Sequence, residues 1–235
     1  MDPSPQVIAM HGWASDGSQW QPLEAGVRAI GWRWWSGERG YGDRPPHQPR
    51  WREGGPRVVI AHSLGPHLLP AEVLAAADAV VLLASFGRFV PPGTTGRRLR
   101  TALEGMGAAL TDAATARPML RRFLEQAAAP EPVEAMAPGP AAGSLGPASL
   151  ERLRDDLGLL ARTDGLPVAF PGAVPVLLVE AGEDRIVAPE ASALLRDALP
   201  HADRLTLPGA GHALLGAPLL EPLLAWLPTG RPQPP

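Results

Sequence analysis

Ala61-His62-Ser63-Leu64-Gly65 sets a serine between small residues two positions before and two after it, directly behind the apolar run Val58-Val59-Ile60. A serine at such a strand-to-helix junction reads as a nucleophile elbow, a turn so tight that its hydroxyl is lifted clear of the sheet. Gly65 satisfies one of the small positions, and Ala61 stands where a glycine is more usual. An ordinary serine at a helix N-cap has the same local appearance, so the partners decide between the two.

A hydroxyl is a poor nucleophile until a base takes its proton. Of the six histidines, His212 lies in Pro208-Gly209-Ala210-Gly211-His212-Ala213, where glycines permit a backbone path toward the elbow. His47 and His201 lie in polar segments and read as surface residues. His67 falls on the helix after the elbow and reads as packing. His62 neighbours Ser63, but its side chain is expected to point elsewhere. A third group must orient the base. Asp184 is the expected acid because it directly precedes Arg185-Ile186-Val187, which opens the next packed segment; Glu183 is the alternative, and a surface ion pair is the plain reading of either. Acyl transfer also needs donors aimed at a developing oxyanion. The amides of Trp13, in His11-Gly12-Trp13, and of Leu64 are the expected pair. A glycine turn capped by Ser15 or Asp16 is the competing reading of the first segment.

Each of these pieces follows a run of strand length. Strands are expected at 7–10, 32–35, 57–61, 79–84, 174–179 and 204–207. Helices are expected over 18–30, 64–76, 189–199 and 213–226. Continuous apolar strands alternating with helices predict a parallel sheet covered on both faces. The alternation stops between Phe86 and Pro171, where helical patterns over 97–111, 116–128 and 147–160 surround a loop rich in Pro, Ala and Gly from Pro130 to Gly146. The expected organisation is a core of residues 1–85 and 172–235 with a helical cap of 86–171. Trp32 and Trp34 share one strand face, which favours core packing over a ligand box.

Bulk properties narrow the class. A chain of 235 residues supports one domain with an inserted subdomain. A net charge of −3 gives no general case for nucleic acid or an anionic membrane, and the absence of Cys excludes disulfides and thiolate metal sites. No metal or other cofactor is expected. No apolar run approaches the roughly 20 residues of a membrane helix, and Met1–Gln6 reads as neither signal nor transit peptide. A cytoplasmic location is the default expectation, and 228–235 reads as a frayed tail.

On these motifs the chain resembles the α/β-hydrolase superfamily over nearly its whole length. That resemblance implies the chain order Ser63, Asp184, His212 for the triad, and it departs where Gly182 stands two residues before the acid instead of three. Within the superfamily it is most similar to the pimeloyl-acyl-carrier-protein methyl ester esterases of biotin synthesis, on His11-Gly12-Trp13, Leu83-Ala84-Ser85 and Arg122-Phe123-Leu124. The resemblance implies a serine carboxylesterase that releases methanol from the carrier-bound methyl ester, with Arg122 as a carrier contact and Phe123 lining the acyl channel. The charge pattern is independent support: seven arginines between Phe86 and Arg122, Arg117 and Arg121 among them, face only Glu104 and Asp112 in that stretch. Such a patch steers an acidic partner, here an acyl carrier protein. Pairing of these arginines with nearby carboxylates, Glu125 included, is the competing reading. Two alternatives remain: a generalist acting on small free esters, thioesters or lactones, and a non-catalytic binding protein on the same scaffold.

Overall fold

The structure is a computed structural model that describes residues 4–140 and 143–227. The proline-rich end expected to fray, 228–235, lies outside them, as do residues 1–3. Among the described residues the strands form one six-stranded, wholly parallel sheet. They are β1 (Gln6–Met10), β2 (Arg33–Ser36), β3 (Arg57–His62), β4 (Ala79–Leu83), β5 (Val176–Ala181) and β6 (Asp203–Leu207), in the spatial order β2-β1-β3-β4-β5-β6.

Alternation along each strand divides the core in two. Ile8, Met10, Val59, Ala61, Val80, Leu82 and Leu178 face one side. Val7, Ala9, Val58, Ile60, Val81, Leu83 and Val179 face the other. The second face is covered by α1 (Gln21–Ala29) through Leu23 and Val27, and by α8 (Leu220–Trp226) through Leu223. Trp32 and Trp34 are buried there too, as core residues. The first face carries α2 (Gly65–Leu68), α3 (Ala71–Ala75) and α7 (Pro189–Ala198).

Between β4 and β5 the described residues form no strand but three long helices, α4 (Gly93–Ala109), α5 (Ala113–Ala128) and α6 (Pro147–Arg162). Their apolar residues, including Leu103, Leu120, Leu153 and Leu157, join the same cluster as the first sheet face. These helices therefore have no separate core.

Several boundaries differ from the sequence expectation for identifiable reasons. The helix expected over 64–76 breaks into α2 and α3 because Pro70 forces Leu69 into extended backbone (ψ 146°). The last helix begins at Leu220 rather than 213: positive φ at Leu214 and Gly216 and the proline at 218 keep the preceding turns irregular. The first helix is a 3-10 turn, Gly17–Trp20, running into α1. The helix expected from 97 starts a turn earlier, at Gly93.

A polar cluster fastens α6 to the loop after β2. Arg39 donates to both carboxylate oxygens of Asp156 at 2.8 Å, and the Tyr41 hydroxyl donates to Oδ2 at 2.6 Å. Asp156 and Tyr41 are buried. Burial, and then the Asp156 charge, pushes the Tyr41 phenol well above its ordinary range, so it stays a donor. Asp156→Ala leaves Arg39 and Tyr41 without their acceptor, and loss of one partner of a buried pair costs on the order of 3 kcal/mol. Urea denaturation at an unchanged m-value is expected to show that loss; a shift of a few tenths would mean the cluster does not fasten the cap.

Candidate active site

β3 ends at His62, and the chain must become helical by Gly65. It turns at Ser63, which takes φ +55°. For a residue with a Cβ this backbone is disfavoured, by about 1–3 kcal/mol for strained backbone generally. The surroundings hold it: Ser63 N–H donates to Leu83 O at 2.9 Å, and Ser63 O accepts from Ser85 Oγ at 2.7 Å. A Cβ on Gly65 would collide with the Met10 carbonyl oxygen, and it would stand 3.3 Å from Ala61 Cβ. The two small positions read from the sequence therefore face one another, and alanine is tolerated at only one of them. Leu64 already has helical backbone, φ −69° and ψ −10°, as the N-cap of α2.

The turn after β1 lies directly against the serine. A Cβ on Gly12 would be 2.8 Å from Ser63 Cβ and 3.3 Å from its Oγ. Trp13 is buried; its indole N–H donates to Leu153 O of α6 at 2.7 Å, and its ring meets Phe123 of α5 edge-on at 4.9 Å. Asp16 also caps the following 3-10 turn by accepting from Ser18 N–H at 2.8 Å, so the capping reading and the close approach hold together.

His212 is buried, with Nδ1 2.8 Å from Asp184 Oδ2. Asp184 Oδ1 accepts from the amides of Ile186 and Val187 at 2.8 and 2.9 Å. Burial works against ionisation of Asp184, but the His212 ring and these two amides outweigh it and hold the carboxyl below the usual range. Glu183 is exposed and makes no side-chain contact with His212. The loops bearing acid and imidazole are joined through Glu183 N–H to Ala210 O at 2.9 Å, and Ala213 N–H ties the imidazole loop to Ala127 O of α5 at 2.9 Å.

Ser63, His212, Gly12 and Trp13 share the wall of one cavity of about 800 Å³. Its cap side brings Phe123, Leu124, Val133 and Met136, and Arg117 and Arg121 also line it. Arg122 is exposed and does not line it. Arg121 pairs with Glu125 at 3.1 Å and approaches Glu134 at 3.8 Å. Arg117 donates to Gly143 O at 2.9 Å. Among the described residues no group of three or more His, Asp or Glu could hold a metal ion, and no helix is long and apolar enough to cross a membrane.

His47 and His201 are exposed, and His67 stacks on Phe86. His62 differs from expectation. Its ring lies 4.9 Å from that of His212, and its Nε2 is 2.9 Å from the His212 carbonyl oxygen. The sequence carried no signal for this, because the contact joins residues 150 apart.

Neither a family model nor a curated protein sequence matches this chain. Solved structures do. An esterase from Exiguobacterium antarcticum superposes with a TM-score of 0.66 at 16% identity, over 90% of this chain and 86% of that one. The bromoperoxidase from Bacillus anthracis gives 0.62 at 15%, over 90% and 86%. BioG from Haemophilus influenzae gives 0.56 at 11%, over 89% of each chain. At these identities the likeness is one of fold, and the fold is that of the α/β hydrolases.

His62 supplies a test of the site's electrostatics. Burial, and then the neighbouring His212, lowers its pKa from 6.5 to about 3. Between those values the folded state binds fewer protons than the unfolded, so its contribution to stability is complete above pH 6.5 and is lost as pH falls toward 3. His67, also lowered by burial, has the same sign. Stability is expected to fall from pH 7 to pH 5 by up to about 1.4 kcal/mol per pH unit for each histidine. In His62→Gln the His62 part should disappear while that of His67 remains; an unchanged slope in urea titrations of that variant would refute the assignment.

Proposed function

We propose that the chain is a serine carboxylic-ester hydrolase. The observation that carries this reading is the Asp184–His212 hydrogen bond at the wall of the cavity where Ser63 is held at φ +55°. Ser63 Oγ attacks the ester carbonyl while His212 Nε2 takes its proton. The negative charge on the former carbonyl oxygen is met by the amides of Trp13 and Leu64. His212 returns the proton to the departing alcohol, and a water repeats the sequence on the acyl-enzyme. Asp184, ionised and fixed by two amides, holds Nδ1–H and stabilises the imidazolium. A solved esterase with the same fold supports the class.

The finer reading is hydrolysis of the methyl ester of pimeloyl-acyl carrier protein. It rests on the resemblance in sequence and on a cap, residues 86–171, whose arginines border a largely apolar cavity. Phe123 would line the acyl channel, and Arg117, Arg121 and Arg122 would meet the carrier's acidic surface. One observation favours a free small ester instead: Arg121 is already engaged by Glu125 and Glu134.

A fluorophosphonate probe is expected to label wild type and not Ser63→Ala, and Asp184→Asn is expected to lower kcat by about 10³–10⁴-fold. Labelling that survives Ser63→Ala would end the mechanism. To separate the substrates, Arg121→Ala/Arg122→Ala is assayed on methyl pimeloyl-carrier protein beside dimethyl pimelate. The carrier reading expects kcat/KM to fall about tenfold or more on the first and to hold on the second; equal values before and after on both select the free ester.

A further inference from the structure

The Gly12 carbonyl and the Trp13 amide belong to one peptide group, and in a trans peptide they point in opposite directions. Whatever fixes the Gly12 oxygen therefore aims the Trp13 N–H. His11 does this. Its Nδ1 lies 2.9 Å from Gly12 O, and because a carbonyl can only accept, Nδ1 carries the hydrogen. The ring is completely buried, lies edge-on to Tyr41 at 5.8 Å, and is absent from the cavity wall. Its other nitrogen, Nε2, accepts from the Arg39 amide at 3.2 Å, so the ring's hydrogen is on Nδ1, and Glu38 Oε1 lies beside Nε2 at 3.3 Å.

Glu38 is itself anchored. Oε1 accepts from the Gly40 amide and Oε2 from the Gly17 amide, each at 3.0 Å. Burial opposes ionisation of Glu38, but His11 and these two amides outweigh it and hold the carboxyl below its ordinary range. The carboxylate so ties together the turn after β1 and the loop after β2, with the His11 ring between them.

We propose that His11, held behind the cavity between the Arg39 amide and the Gly12 carbonyl and braced by Glu38 in the loop after β2, positions the Trp13 amide for the oxyanion. The proposal rests on the ester-hydrolase reading above. Gly12, whose backbone abuts Ser63 Cβ, is the residue whose carbonyl is held, so the peptide in question is the one beside the nucleophile. Consecutive hydrogen bonds also polarise one another. A Gly12 oxygen engaged by His11 makes the Trp13 N–H a better donor as well as a better-aimed one. Neither His11 nor Glu38 touches substrate; both are positioning residues.

The test uses three variants of the full chain and a p-nitrophenyl ester. Asparagine at 11 places its side-chain amide near the position of Nδ1 and can still donate to Gly12 O; glutamine places its amide farther out, toward Nε2. Folding is checked by thermal melting, and kcat, KM and inhibition by a trifluoromethyl ketone, whose adduct with Ser63 bears an oxyanion, are measured. His11→Gln is expected to lower kcat and ketone affinity together, about tenfold or more, with KM within about twofold. His11→Asn should recover most of both. Glu38→Gln should lower both severalfold, and it carries the test alone if the His11 variants fail to fold. The proposal is overturned if kcat and ketone affinity hold in His11→Gln or Glu38→Gln, if Asn and Gln at 11 lose equally, or if the loss lies in KM. A wild type that neither turns over esters nor forms the ketone adduct overturns the ester-hydrolase reading, and this proposal with it.

Discussion

Where β3 leaves the sheet, the chain passes from extended to helical backbone within two residues, and the space for that turn is set by the end of β1. Gly65 reaches the Met10 carbonyl oxygen with no room for a Cβ, and Gly12 reaches the Ser63 side chain just as closely. These two approaches press the turn after β1 and the elbow together. Everything else at the site follows from that contact. It puts the Gly12–Trp13 peptide beside the nucleophile, and it requires neighbouring strands to hold Ser63 in a backbone it would not choose. The Leu83 carbonyl and the Ser85 hydroxyl of the β4 end supply that restraint.

Strain of this kind is confined to one side of the molecule. The non-glycine residues at positive φ, among those described, are Ala14, Ser63, Ala84 and Leu214. Ala14, Ser63 and Ala84 follow the C-terminal ends of β1, β3 and β4, and Leu214 lies two residues beyond His212. Such conformations persist only where surroundings over-determine them. Here the helical cap contributes to that constraint: Leu153 O of α6 takes the Trp13 indole, and Ala127 O of α5 takes the Ala213 amide. The Arg39–Asp156–Tyr41 cluster then fixes α6 itself. Helix α5 thus lines one side of the cavity while α5 and α6 brace the turns, which agrees with an apolar core that continues from the sheet into α4–α6.

The four central strands were legible because each carries an uninterrupted apolar run, as burial on both faces demands, whereas the edge strands β2 and β6 carry Arg33 and Ser36, and Asp203, Arg204 and Thr206. The positions of Ser63, Asp184 and His212 at strand ends were legible because each follows a run of strand length and has a local reason for its place, whether small neighbours, a packed segment after the acid, or glycines around the imidazole. Helix ends were less so. Pro70 was visible, yet the amphipathic pattern on both sides of it suggested one helix where the backbone makes two. The supports of the site were not legible at all. Asp156 meets Arg39 across 117 residues, and His62 meets His212 across 150. No local pattern marks such pairs, since each is created when loops from different strands converge. Asp184 gained over Glu183 by a feature of the same kind: its second oxygen closes onto the amides of Ile186 and Val187, which leaves only Oδ2 to face the imidazole.

Three imidazoles lie around the elbow, and the proposed hydrolysis needs them to behave differently. His212 must become an imidazolium during each turnover in the proposed mechanism, so another cation beside it would raise the barrier. Burial keeps His62 neutral, with a pKa of about 3. Its ring can therefore lie 4.9 Å from His212 without opposing the charge. It is also placed to donate from Nε2 to the His212 carbonyl, which requires the tautomer with its other nitrogen unprotonated. That nitrogen, Nδ1, is buried with no partner, a cost that a purely structural residue would gain little by bearing. His11 sits in a different environment, its ring held between the Arg39 amide and the Gly12 carbonyl oxygen, with Glu38 alongside. In the proposed mechanism the same side chain is thus a neutral spacer at 62, a base at 212 and a backbone clamp at 11. The neighbouring groups set the difference: none on Nδ1 of His62, Asp184 on that of His212, and an amide and a carbonyl at the two ends of His11.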